Sequence, residues 1–161
     1  MIFFTVGTER FPFDRLMEMA DKVHEVSGEA VKVQFGESRV IPQKCDSLKS
    51  LPYLEFVQSL TSARIIVTHA GVGAIVSCAR LGKVPIVMPR RKEFGEHVDD
   101  HQVELAVKMN ELGYVLLAET GKDILRLIQN YNNEPVVQRR QQSALPGLAG
   151  SLSAYLSEIK K

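Results

Sequence analysis

One stretch of the chain, residues 64–102, restricts the possible folds more than any other. It reads in order as a strand of β-branched residues, a glycine-bearing turn, a helix, a second strand, a polar loop and the start of another helix. Strands that alternate with helices are typical of a parallel sheet covered by helices. Ligands of open parallel sheets bind beyond the carboxyl ends of the strands, and this stretch supplies two such ends in succession. We therefore expect the functional site in its turns.

The rest of the chain continues this alternation, which predicts a doubly wound α/β fold with a mainly parallel sheet. Apolar runs predict the strands, and apolar positions at helical spacing predict helices that end at glycine or polar residues. Outside the stretch above, the predicted strands are residues 2–6, 31–35, 53–56 and 114–117, the predicted helices are residues 13–27, 57–63, 98–112 and 122–130, and residues 37–50 are predicted to be an irregular loop.

Length and composition favour one globular domain. A chain of 161 residues holds one domain with a sizeable core and is short for two, so residues 1–161 are expected to form a single unit. The net charge of +1 supplies no field that would attract nucleic acid, and we expect none as a partner. The apolar runs are too short to span a membrane, and the first residues resemble a strand rather than a signal peptide. We expect a cytoplasmic protein with free thiols at Cys45 and Cys78.

The first candidate motif is the turn of His69, Ala70, Gly71, Val72 and Gly73, which joins a predicted strand to a predicted helix. Glycines let a ligand approach the backbone, and the free N–H groups and positive dipole end of a helix suit a phosphate or diphosphate. The histidine could add a hydrogen bond or a positive charge. Glycine-rich turns also arise from packing alone, and this one is neither the GxGxxG fingerprint nor a P-loop.

Cations follow the next strand of the stretch. Arg90, Arg91 and Lys92 come directly after an apolar run, so they are expected at the same edge of the sheet as the glycine turn, where they could neutralise a diphosphate. A solvated charged loop is an equally good interpretation of these three residues taken alone. The first strand-to-helix turn, with Gly7 and Thr8, is predicted to line the same crevice.

A dense polar cluster opens the following helix. One carboxylate can cap that helix, but the surplus of Asp, His and Gln offers the directional hydrogen bonds that recognise sugar hydroxyls. His97 and His101 lie four residues apart and could also hold a metal, but without HExxH or a cysteine ligand we predict none. The residues predicted to bind hydroxyls here are Glu96, His97, Asp100, His101 and Gln102.

Taken together, TVGT near the start, HAGVGA followed by LGKVPIVMPRR, and GEHVDDHQVELA resemble the C-terminal domain of family 28 glycosyltransferases over nearly the whole chain. The resemblance implies the Rossmann-like C-terminal half of a GT-B fold, which binds a UDP-sugar. A chain of this length is similar to the separate donor-binding subunits of split transferases that assemble exopolysaccharide, capsule or dolichol-linked glycans. Ser77 stands where many members carry a ribose-binding glutamate, and it offers a neutral hydrogen bond instead.

The resemblance also implies an activity. It is an inverting transfer of a hexose or N-acetylhexosamine from a UDP-sugar to a lipid-linked saccharide, without covalent intermediate, metal or cofactor. Residues 69–73 would contact the diphosphate, residues 100–102 would bind sugar or ribose hydroxyls, and His69, Arg90 and Arg91 would stabilise the leaving group. A membrane-anchored partner carrying the N-terminal GT-B half would bind the acceptor and supply the base.

The tail, residues 145–161, is predicted to be a helix with one apolar face. The sequence alone favours packing of this face on the chain's own domain over docking to another chain, although composition does not separate the two. The resemblance implies contact with the partner. The face consists of Leu148, Leu152, Tyr155, Leu156 and Ile159.

Two other functions fit the same motifs. One is a non-catalytic subunit that enhances or stabilises a partner glycosyltransferase, which the serine at position 77 favours. The other is a sugar-nucleotide epimerase of the GT-B type, which would need both GT-B halves in one chain.

Overall fold

A parallel sheet of six strands forms the centre of the protein in the computed structural model, which describes residues 1–142. The strands are β1 (Ile2–Thr5), β2 (Val31–Gln34), β3 (Asp46–Leu48), β4 (Ile65–Thr68), β5 (Ile86–Val87) and β6 (Leu116–Leu117). The helices are α1 (Asp14–Ser27), α2 (Tyr53–Ser62), α3 (Val72–Arg80), α4 (His101–Glu111), α5 (Gly121–Asn130) and α6 (Pro135–Gln142), with 3-10 helices at Lys92–Phe94 and Tyr131–Asn133. The strand order is β3-β2-β1-β4-β5-β6, and every neighbouring pair is parallel. The predicted doubly wound α/β fold is confirmed.

Helices cover both faces of the sheet. Alternate residues of a strand point to opposite faces, so each strand contributes side chains to the cores on both sides. In β1, Phe4 belongs to the core formed with α1 and α5, and Phe3 belongs to the core formed with α2 and α3. Beside α3, helix α4 packs through Leu105 and Met109. Strands β1 and β4 are buried at every position, which explains their uninterrupted apolar and β-branched sequence. Each such buried side chain contributes about 1.5–3 kcal/mol to folding.

The strand predicted at residues 53–56 is wrong, because these residues form the first turn of α2. Tyr53 and Phe56 have high strand propensity, but Pro52 precedes the helix and its carbonyl accepts a hydrogen bond from the Phe56 N–H at 2.9 Å. The helix is fixed by packing of its later residues, since Ser59 and Leu60 are buried against the sheet.

The loop predicted at residues 37–50 is wrong in part, because it contains the edge strand β3. The side chains of Asp46 and Leu48 are exposed, so the strand has no apolar pattern by which the sequence could reveal it. Its backbone pairs with β2 in parallel register. Helix α6 was likewise not predicted.

The side of the sheet on which successive strands are added changes at its centre, between β1 and β4. After β1 the next strand lies on one side, and after β4 the next strand lies on the other. Connections that leave two neighbouring strand ends in opposite directions open a crevice there. Thr5 pairs with Thr68 in the register of these strands, so the turns that follow them are adjacent.

Within residues 1–142, no helix is both long and apolar enough to cross a membrane. Cys45 and Cys78 are free, as predicted, and burial raises the pKa of each thiol to about 12. The helix predicted at residues 145–161 lies outside the described residues.

Candidate functional site

The imidazole of His69 fills the space between the two turns of the central crevice. A Cβ on Gly7 would lie 2.6 Å from the ring carbon Cε1 of His69, and a Cβ on Gly71 would lie 2.2 Å from its Nε2. Both distances are far shorter than any real contact, so the ring fits only because both positions are glycine. Gly7 also has φ +71, which favours glycine independently. Thr8, the next residue of the first turn, is exposed at the crevice.

The ring of His69 is neutral at physiological pH. Burial lowers its pKa to about 3, the positive charge of Arg90 and the electrostatic interaction with His97 act in the same direction, and a hydrogen bond to the Thr5 carbonyl partly opposes them. Of the two roles expected for this histidine, the arrangement therefore supports hydrogen bonding and not a permanent positive charge.

Helix α3 begins at this crevice without a side-chain cap. Its first backbone bond runs from the Ile75 N–H to the Gly71 carbonyl at 3.1 Å, so the N–H groups of Val72, Gly73 and Ala74 precede the helical ladder. A Cβ on Gly73 would meet nothing within 4 Å, which shows open space above these donors. Free N–H groups and the helix dipole make this end suitable for an anion. Ala70, between the histidine and the helix, is buried.

Ser77 lies one turn further along α3. Its hydroxyl donates to the Gly73 carbonyl at 2.8 Å, so its proton is engaged within the helix. Only the oxygen lone pairs remain for a ligand. The neutral hydrogen bond expected from this residue is therefore restricted to accepting one.

The expectation that Arg90 faces a ligand needs correction, because its side chain is 0% exposed. Its Nη1 donates to the carbonyls of Phe11, Pro12 and Glu96, at 2.8, 3.3 and 3.2 Å. Its Nη2 donates to the carbonyl of Val6 at 2.9 Å, and its Nε has no hydrogen-bond partner among the described residues. The guanidinium thus holds the first crevice turn against the loop after β5. Its charge acts on the crevice from below and not by contact.

Glu96 is also engaged inside the protein, in a pair that the sequence did not suggest. Its carboxylate accepts from Arg15 Nε and Nη2 and from the Arg91 backbone N–H. Arg15 donates further to the carbonyls of Pro89 and Glu119. Glu96 is 5% exposed, so its contribution is to fix the loop rather than to present a free carboxylate. Spacing gives no signal for such a pair, because its partners are distant in the chain.

The remaining polar residues form a rim above the crevice. His97 Nδ1 lies 3.0 Å from Asp99 Oδ1, and its ring centroid lies 5.9 Å from that of Phe11. Asp100 accepts from the Lys92 N–H at 2.9 Å, and the His101 side chain is 76% exposed. Within residues 1–142, no three His, Cys, Asp or Glu side chains come together as metal ligands.

Gln102 connects this rim to the buried Arg90 beneath it. It is 8% exposed, and its Oε1 accepts from the Arg90 N–H at 3.3 Å. No partner is seen for its Nε2 in the described part of the chain, so this amide can donate to a ligand. Arg91 keeps a side chain 28% exposed, with Nη1 at 3.4 Å from Glu93. The structure thus brings Gly7, His69 and Gly71 into contact, with Asp100 and His101 at the exposed rim.

A parallel sheet in this strand order, with an uncapped helix at the central crevice, defines a Rossmann-like α/β domain. The chain belongs to the glycosyltransferase family 28 C-terminal domain family, whose model matches residues 1–151. The predicted family is therefore confirmed, and the chain is a domain of a glycosyltransferase family.

A curated relative is the UDP-N-acetylglucosamine transferase subunit ALG13 of Yarrowia lipolytica, which is 25% identical over 120 residues in a match that covers 66% of this chain and 59% of the relative. Similar solved structures share the fold of GT-B glycosyltransferases. They include the glycotransferase of kitacinnamycin (19% identity, TM-score 0.65, 95% of this chain and 39% of that one). They also include the calicheamicin glycosyltransferase CalG4 (16% identity, TM-score 0.63, 99% of this chain and 44% of that one). A third is Acinetobacter baumannii MurG (16% identity, TM-score 0.57, 96% of this chain and 49% of that one). The chain thus spans less than two thirds of the relatives that it matches.

Proposed function

We propose that this chain is the donor-binding subunit of an inverting glycosyltransferase that moves a hexose or N-acetylhexosamine from a UDP-sugar to a lipid-linked saccharide. The observation that carries the proposal is the uncapped start of α3 beside His69, at the crevice between β1 and β4. It offers several N–H donors to an anion and has open space above Gly73. The diphosphate of a nucleotide sugar is an anion that such a helix start can hold.

The exposed rim and the residues beneath it have separate roles in this proposal. The free amide of Gln102 and the exposed groups of Asp100 and His101 bind hydroxyls of the ribose or sugar. The helix dipole, His69 as a neutral hydrogen-bond donor, and the partly exposed Arg91 stabilise the departing diphosphate. Arg90 supports them by fixing the turns and by its buried charge. The proposal uses no metal and no cofactor.

A second chain completes the enzyme in this proposal. The curated relative is described as a subunit, and the solved relatives are about twice as long as this chain or more. We propose that a membrane-anchored partner carries the other GT-B half, binds the acceptor, supplies the base, and brings this chain to the cytoplasmic face of a membrane. Residues 148–161, outside the described residues, are proposed as the contact. Their deletion should abolish co-purification with the partner.

The donor site is tested by calorimetry with UDP and UDP-sugars on wild type and Gly73→Ala. The new methyl group fits the free protein but occupies the space where the diphosphate would lie, so binding should weaken at least about tenfold. Gln58→Ala, on the exposed face of α2, is the control and should bind as wild type. Failure of the wild type to bind any UDP compound would overturn the donor site, as would equal binding by Gly73→Ala.

An enhancer subunit without catalytic function is the second candidate, favoured by the Ser77 hydroxyl being engaged by the Gly73 carbonyl. The purified complex with its partner separates the two. If this chain binds the donor, Gly73→Ala should retain the complex and lose transfer. If it only stabilises the partner, transfer by that complex should be unchanged.

A further inference from the structure

A buried chain of hydrogen bonds connects three strands to His69. Thr5 in β1 donates its hydroxyl proton to Gln34 Oε1 in β2 at 2.7 Å. Thr68 in β4 donates its own to the Thr5 carbonyl at 3.0 Å. The Thr68 oxygen then lies 3.2 Å from Nδ1 of His69. All four side chains are at least nine-tenths buried.

The number of protons on this path decides which ring nitrogen of His69 carries one. A hydroxyl has a single proton, and that of Thr68 goes to the Thr5 carbonyl. Its oxygen can therefore only accept from Nδ1, which must carry the ring proton. In a neutral imidazole this leaves Nε2 as a lone pair. Nε2 is the atom nearest the Gly71 side of the crevice, and it has no hydrogen-bond partner among the described residues.

A lone pair at this place is unsuited to a diphosphate, whose oxygens also only accept hydrogen bonds. Two changes could remove the conflict. The ring could take up a second proton, but the buried Arg90 guanidinium and the nearby His97 oppose another positive charge, with only the Thr5 carbonyl in its favour. The alternative needs no net proton. The Thr68 hydroxyl turns to donate to Nδ1, the Nδ1 proton leaves to solvent, and a proton from solvent binds Nε2.

We propose that Thr68 is a positioning residue that sets the tautomer of His69: its hydroxyl donates to Thr5 in the free protein and to His69 Nδ1 when a diphosphate is bound. This inference rests on the proposed function, since it deepens the account of the same site. Thr68 itself does not touch the ligand. It determines whether Nε2 can donate to one.

The test uses Thr68→Val, of nearly equal shape but without the hydroxyl, with Thr68→Ser as the conservative variant. In Thr68→Val no hydroxyl can donate to Nδ1, so Nδ1 keeps its proton and Nε2 can donate only after a second proton binds. UDP affinity at neutral pH should fall about tenfold, the loss expected for one hydrogen bond. It should recover as the pH is lowered, and calorimetry in two buffers of different ionisation enthalpy should show proton uptake. Wild type and Thr68→Ser should show none.

A second measurement reads the tautomer directly. The ¹⁵N chemical shifts of the His69 ring should show a protonated Nδ1 in the free wild type and a protonated Nε2 with UDP bound. Thermal unfolding verifies that both variants are folded. The inference is overturned if the free ring already carries its proton on Nε2, if UDP binds without changing the shifts, or if Thr68→Val binds UDP with wild-type affinity and pH dependence. Absence of UDP binding by the wild type would instead overturn the proposed function, and with it the proposed change of the His69 tautomer on binding.

Discussion

The carboxylate of Glu96 accepts hydrogen bonds from both Nε and Nη2 of Arg15, at 3.0 and 2.9 Å, and so joins segments 81 residues apart. This pair and the Arg90 guanidinium fix the loop between β5 and α4 against the start of α1. The polar rim of the crevice is therefore held by contacts from beneath, although its own residues are exposed.

Replacing Arg15 by methionine should destabilise the protein by about 2–3 kcal/mol, because it leaves the buried Glu96 carboxylate without its cation. Urea unfolding measures the loss. Arg39→Met is the matched control, since the Arg39 side chain is 80% exposed in its pair with Asp14, and it should cost less than about 1 kcal/mol. Equal losses in the two variants would contradict the structural role of the Arg15 pair.

Alanine at the two glycines of the second turn should have opposite effects on stability. In Gly71→Ala the new Cβ meets the His69 ring, which must move, so we expect destabilisation of about 1–3 kcal/mol. Gly73 lies in the first turn of α3 with open space around it, so Gly73→Ala should be neutral or stabilise by up to about 1 kcal/mol. Unfolding midpoints of the two variants decide this, and a lower midpoint for Gly73→Ala would contradict it.

Acid should destabilise the folded protein through His69. Burial and the Arg90 charge hold the pKa of this ring at about 3, below its ordinary 6.5, so the unfolded chain binds a proton more readily than the folded one. Stability should therefore fall as the pH drops from 6.5 towards 3, by up to about 1.4 kcal/mol per pH unit from this group. Urea unfolding of His69→Gln, which cannot titrate, should show a smaller loss over the same range. An unchanged pH dependence would exclude His69 as a source.

Lys83 should contribute more to the free energy of unfolding than an ordinary surface lysine. Its ammonium donates to the carbonyls of Leu60, Thr61 and Ala63, at 2.7, 2.6 and 2.5 Å, and thereby caps the end of α2. Lys83→Met keeps the aliphatic stem but leaves these carbonyls unpaired, which should cost about 1–3 kcal/mol. Lys22→Met, on an exposed position of α1, is the comparison and should be nearly neutral.

The sequence predicts the sheet well because the signal lies in residues that are buried on both faces. Runs such as Ile65–Thr68 have no other stable place than a central strand. Failures occur where burial does not shape the sequence. Asp46–Leu48 is an exposed edge strand held by its backbone, and Tyr53 is an exposed aromatic residue at a helix start, 77% accessible.

The site is predicted in position but only partly in role. Glycines at 7, 71 and 73 and the histidine at 69 show from local sequence where the backbone opens, and the structure places three of them in contact. The environments of Arg90 and Glu96 depend on carbonyls and a guanidinium far away in the chain. No local pattern distinguishes an arginine that faces a ligand from one that holds a loop.

The Arg90 guanidinium also has a consequence for the order in which the protein is made. It donates to the Val6 carbonyl, 84 residues earlier in the chain, and to the Glu96 carbonyl beyond it. During synthesis the first turn of the crevice therefore waits without this support until most of the sheet has left the ribosome. A chain that ends before Arg90 lacks the donor that fixes this turn. The geometry of the crevice thus depends on completion of the chain rather than on the onset of its folding.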